Sequence, residues 1–88
     1  MDDKTKEIFI ITQEECAEVI QSISKIFRFG EEYTYDGTSN MVRLEEEVGD
    51  LLCLIDIMIQ QSILSHVTID KARQAKREKL KLWSGIFK

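Results

Sequence analysis

Eighty-eight residues, 43% hydrophobic and 32% charged, leave room for one domain over residues 1–88 and exclude a disordered, collagen-like or low-complexity chain. Sixteen acids against twelve Lys and Arg give a net charge of −4, which makes a nucleic-acid polymer or an anionic membrane a poor general partner. The longest near-apolar stretch, residues 48–59, carries Asp50 and Asp56 and falls well short of the about 20 residues that span a bilayer. The opening Met-Asp-Asp-Lys lacks signal-peptide character, and two separated cysteines, Cys16 and Cys53, form no disulfide framework. A cytoplasmic location with reduced thiols is expected. A single histidine, His66, and two distant cysteines make no zinc site.

No proline interrupts the chain, so breaks fall to glycine and polar clusters. In the first segment, Ile8, Phe9, Cys16, Val19, Ile20, Ile23, Ile26 and Phe27 share one arc at about 100° per residue, opposite Ala17, Gln21, Ser24 and Arg28. This is an amphipathic helix. It starts near Asp3 if Ile8 and Phe9 belong to it. It starts near Thr12, with Thr12-x-x-Glu15 as a capping box, if Ile10 and Ile11, which lie off the arc, mark a preceding strand. The periodicity favours the longer helix. Residues 30–40 then read as a loop, with Asp36-Gly37 as a turn and Ser39 or Asn40 as the cap of the second helix.

That second helix is expected over residues 41–64. It is apolar on nearly every side, with only Gly49, Asp56 and Gln60 forming a narrow polar or small stripe. A chain this short has too few other residues to cover such a helix, so an oligomer is expected. Residues 65–68 make a second break, with Thr68 as a cap. A third helix, from Ile69 to about Trp83, places Ala72, Ala75, Leu80, Leu82 and Trp83 on one side, with Lys76 and Lys79 on the same inward arc. The class is all-α: an antiparallel helical bundle of three main helices, completed as a four-helix-type bundle by oligomerisation.

The acids stand out against this pattern. Glu15 and Glu18 are three residues apart on the first helix, as are Glu47 and Asp50 on the second, so each pair shares a face. Glu47 and Asp50 lie beside Leu51, Leu54 and Met58, and Glu15 lies at the edge of the apolar arc. Four carboxylates converging between packed helices repel one another and lose hydration. A divalent cation relieves both, and hard oxygen ligands suit Mg²⁺ or Mn²⁺. Glu14, Glu45 and Glu46 read as solvated surface acids.

Glu14-Glu15-Cys16-Ala17-Glu18 followed, after a gap of 28 residues, by Glu47-Val48-Gly49-Asp50 resembles the EExxE…ExxD signature of the MazG-like all-α nucleoside triphosphate pyrophosphohydrolases. The surrounding text, Arg28-Phe29-Gly30, Asn40 and Gly49-Asp50-Leu51-Leu52 included, is similar to small single-domain members, many of them phage-encoded, and the likeness spans roughly residues 14–79. The resemblance implies Mg²⁺ held by Glu15, Glu18, Glu47 and Asp50, hydrolysis of an NTP or dNTP between the α and β phosphates to a monophosphate and pyrophosphate, and a homodimer or homotetramer. For a phage-encoded member the location would be the host cytoplasm. Phosphoribosyl-ATP pyrophosphohydrolases share these motifs but carry Lys-x-Gly before the paired glutamates, where this chain has Ile11-Thr12-Gln13. A non-catalytic helical oligomerisation or regulatory module is the alternative from another class.

Placement also suggests supporting residues. Lys76 and Lys79 are candidates for the β and γ phosphates, although their stems can equally pack while the ammonium groups reach water. Lys25, seven residues after Glu18 on nearly the same arc, is a third candidate. Arg28, Tyr33, Tyr35 and Asn40 lie in or beside the loop, where they can cover a base or simply pack locally. Trp83 reads as core or interface. Gly49 marks either a close helix approach beside Asp50 or a neutral outward position.

Overall fold

The computed structural model describes residues 1–34 and 36–88; Tyr35, one of the loop aromatics named above, lies outside the described residues. Three helices occur in order: α1 (Asp3–Phe29), α2 (Asn40–Gln60) and α3 (His66–Trp83). Among the described residues, the only strand-like pairing is an isolated bridge between Thr34 and Ser39.

The longer reading of α1 holds. The Asp2 carboxylate caps the helix by accepting from the Thr5 amide at 2.7 Å. Thr12 caps nothing: it sits mid-helix, where its hydroxyl donates to the Ile8 carbonyl at 2.7 Å. The helix ends at Gly30, whose φ of 95° suits a residue without a Cβ and whose amide donates to the Ile26 carbonyl. The loop then folds back on itself. The Asn40 amide donates to the Tyr33 carbonyl and the Met41 amide to the Glu31 carbonyl, each at 3.1 Å, while the Asn40 side chain donates to the Gly30 carbonyl, also at 3.1 Å. Asn40 is 3% exposed, so one buried amide ties the end of α1 to the start of α2. Ser39 is the cap of α2, accepting from the Val42 amide.

α2 is shorter than expected, ending at Gln60 rather than 64. Ser62 adopts a left-handed φ of 59°, and the amides of Ile63 and Leu64 both turn back to the Met58 carbonyl. α3 starts earlier than expected, at His66. Its cap is Ser65, whose hydroxyl accepts from the Thr68 amide at 3.4 Å, so Thr68 lies within the first turn.

α1 and α2 pack against each other in antiparallel sense: Asn40 meets Gly30 at one end, and Glu18 meets Glu47 midway. On α1 the buried and half-buried positions are Thr5, Ile8, Thr12, Glu15, Val19, Ser22 and Ile26, alternating in steps of three and four. On α2 the steps run Asn40, Leu44, Glu47, Leu51, Leu54 and Met58. Two stripes of this period form a helix–helix seam. The expected apolar arc of α1 is thereby divided. Ile8, Val19 and Ile26 enter the seam, whereas Phe9, Cys16, Ile20, Ile23 and Phe27 form a second stripe left exposed.

α3 does not complete a bundle within the chain. None of its residues is buried, and Lys76 and Lys79, expected on an inward arc, are both exposed. The tail curls onto α3 instead, with Arg77 stacked 4.7 Å over the Phe87 ring and the Ser84 hydroxyl donating to the Leu80 carbonyl. The radius of gyration is 16.0 Å, against about 12 Å for a compact chain of this length, and the smallest dimension is 15 Å. Ile8 and Met58 are the buried apolar residues among those described. No described helix is long and apolar enough to cross a membrane.

Candidate metal centre

The seam explains why carboxylates meet. Glu15 occupies a seam position on α1 and Glu47 one on α2, between Val19 on one side and Leu44 and Leu51 on the other. Both are half-buried there. Glu18 lies one turn along α1 on the exposed margin of the same groove. One oxygen from each of Glu15, Glu18 and Glu47 lies within 4.8 Å of the other two. Asp50 is exposed and stands outside that triad, but its charge is close enough to act on both Glu15 and Glu47.

The cluster is electrostatically strained. Glu47 holds its proton most tightly, its pKa pushed up to about 6: the first cause is a hydrogen bond shared with Glu18, then desolvation, then repulsion from Glu18, Asp50 and Glu15. Glu15 is also raised, first by desolvation, then by repulsion from Glu18, Asp50 and Glu14. Oε2 of Glu15 and Oε2 of Glu47 are both buried without a hydrogen-bond donor. Buried carboxylate oxygens lacking donors are costly, and three carboxylates facing one another repel. The donor set is all oxygen, so the residues present fit a hard divalent cation such as Mg²⁺ or Mn²⁺.

The remaining candidates separate. Lys25 lines a cleft of about 200 Å³ that continues from the acids toward the loop, together with Glu18, Gln21, Ser22, Arg43 and Glu47. Asn40 serves as the buried clasp between helix ends. Lys76 lines a separate groove on α3 with Arg73, Arg77 and Phe87, and neither it nor Lys79 lines the acidic cleft. Arg28 stacks 5.0 Å over the Phe29 ring, and Phe29 and Tyr33 pair with centroids 5.3 Å apart, which is local packing at the end of α1. Trp83 is 83% exposed and is not core within the chain. A Cβ on Gly49 would meet nothing within 4 Å, so no close helix approach requires it in the single chain.

Arg43 is the residue that sequence reasoning missed. It pairs with Asp36 of the loop, holds that carboxyl below the usual range and reaches the cleft one turn before Glu47. Its spacing of four residues from Glu47 on the same helix is the signal that could have found it. Comparison with models of known families, with curated proteins and with solved structures gives no match to this chain.

Proposed function

We propose that this protein is a Mg²⁺-dependent nucleoside triphosphate pyrophosphohydrolase, hydrolysing an NTP or dNTP between the α and β phosphates to a monophosphate and pyrophosphate. The observation that carries the reading is the convergence of Glu15, Glu18 and Glu47 within 4.8 Å, with two buried carboxylate oxygens that have no donor. The resemblance of these acids and Asp50 to the EExxE…ExxD signature of MazG-like enzymes names the reaction. Three clustered carboxylates can face a polyanionic substrate where bound cations invert the local charge. Glu15 and Glu47, fixed in the seam, would hold the metal, Glu18 would complete the set from the groove margin, and Asp50 would act from beside it. Bound there, Mg²⁺ supplies activation of a water and neutralises charge on the transferring phosphoryl group. The residues contribute a rigid, half-buried carboxylate frame whose cost of assembly is offset in advance by the α1–α2 packing.

The site belongs to an oligomer in this reading. The chain exposes 6991 Å², against about 5,400 Å² expected of a compact monomer of its mass. The second stripe of α1, with Ile20 and Phe27 at 67% and 86% exposure, and Leu52 of α2 at 53%, offer the surface on which two α1–α2 pairs would form a four-helix-type bundle. The same exposed stripes are what a non-catalytic oligomerisation module would need. A panel of the common NTPs and dNTPs with Mg²⁺, read for monophosphate and pyrophosphate, separates the two. Release of pyrophosphate from at least one member is expected; no release from any of them would leave the oligomerisation module standing.

A further inference from the structure

The cleft beyond the acids is built from two charge zones. Along α1, Glu18, Ser22 and Lys25 fall within about 60° of one another, so they line one wall in that order. Along α2, Glu47 and Arg43 line the other wall, one turn apart. Carboxylates therefore occupy one end and two cations the other, with Ser22, 7% exposed, and Gln21 between them. Asp36 grips Arg43 from the loop, which fixes the guanidinium at that end, and the arginine side chain is 28% exposed.

Such a cleft fits few ligands. A bare divalent cation would use only the acidic end. A neutral molecule would leave both ends unsatisfied. All six lining residues are polar, so a nucleobase finds no apolar or aromatic surface on which to stack there. A ligand that satisfies both ends carries a metal ion on one part and negative charge on the rest. Arginine presents a planar fork of donors that matches phosphate oxygens, and lysine adds a mobile point charge.

We infer that Lys25 and Arg43 form a subsite for the pyrophosphate portion of the substrate, the β and γ phosphates that leave, held as a metal-bound anion next to Glu18 and Glu47. The inference rests on the reading of the three glutamates as a Mg²⁺ site. It places phosphate recognition on α1 and α2, within one chain, and the base outside this cleft.

Calorimetric titration of the full chain tests it with two probes, Mg²⁺ alone and inorganic pyrophosphate in saturating Mg²⁺. The parent is compared with Lys25→Gln, Arg43→Gln and Lys71→Gln; Lys71 is an exposed residue of α3 that lines neither groove. Lys25 is exposed, so its variant remains folded even if Arg43→Gln loosens the loop. Mg²⁺ alone is expected to bind the parent and all three variants with similar affinity. Pyrophosphate should bind at least tenfold more weakly to Lys25→Gln and to Arg43→Gln, and as in the parent to Lys71→Gln. Mg²⁺ binding with pyrophosphate affinity unchanged in both cleft variants overturns the subsite and leaves the metal centre standing. Absence of Mg²⁺ binding to the parent overturns the metal centre, and the subsite with it.

Discussion

Replacing Glu47 with Gln tests the site through stability rather than turnover. The folded protein holds the Glu47 carboxyl up at about 6, against an ordinary 4.5, because Glu18 shares its proton and the seam desolvates it. The folded state therefore binds more protons than the unfolded chain between these values. Stability from this group is fully present below 4.5 and is lost as pH rises through 6. Converted to free energy, the penalty at neutral pH is roughly 2 kcal/mol, and water reaching this half-buried group screens it to about 1 kcal/mol. A glutamine keeps the shape, carries no charge and can donate its amide to Glu18. At pH 7.5 and fixed protein concentration, the metal-free Glu47→Gln protein should melt higher than the parent, by about 4–8 °C. At pH 4.5 the gap should close, because the parent then carries a neutral Glu47 as well. Mg²⁺ should raise the parent's melting temperature, by the equivalent of about 2.7 kcal/mol at a hundredfold excess over its dissociation constant, and raise that of the variant far less. Differential scanning calorimetry at the two pH values, with and without Mg²⁺, measures all of this. An advantage that does not change with pH, or an equal response of both proteins to Mg²⁺, would refute the strained carboxylate cluster. Turnover by Glu47→Gln at the parental rate would refute its part in the chemistry.

Sedimentation at micromolar concentration should give a dimer or tetramer; a 10.3 kDa species would end the oligomer reading. Trp83, 83% exposed in the single chain, should then show shielded, blue-shifted fluorescence that moves red on dilution, and an emission independent of concentration would place it outside the interface. Lys76 and Lys79 stand on a helix that does not line the acidic cleft, so any part they take in the site is delivered by a neighbouring copy. Where a neighbouring copy delivers Lys79, Lys79→Ala loses activity and its mixed oligomers with Glu47→Gln chains regain it, whereas a Lys79→Ala protein as active as the parent assigns that lysine to solvent. Asn40→Ala removes the buried 3.1 Å bond to the Gly30 carbonyl and should cost about 1–3 kcal/mol. Its thermal melt should fall while the Mg²⁺ response persists; an unchanged melt would show that the clasp is dispensable.

Local chemistry is legible in this sequence. Ser39 caps α2 through a hydroxyl three residues before the amide it accepts from, and that depends on neighbours in the chain alone. The same holds for the pairing of Glu15 with Glu18 and of Glu47 with Asp50, because a three-residue step fixes them to one face wherever the helix goes. The expected cap at Thr68 gives way to Ser65 because both offer a hydroxyl, and only the path of the turn through Ser62 selects the earlier one. The tertiary structure alone settled which of two apolar stripes on α1 mates with α2. Ile8 and Val19 go inward and Ile20 and Phe27 do not, because the shared face must also admit Glu15, Ser22 and the glutamate of the other helix. It also decided that Arg43 joins the cleft, through a loop that brings Asp36 back over α2, and that α3 stands apart from the α1–α2 pair. Periodicity finds the apolar face of α3 but cannot say what covers it: a stripe on one helix carries no information about which surface it meets until the chain, or a second copy of it, supplies one.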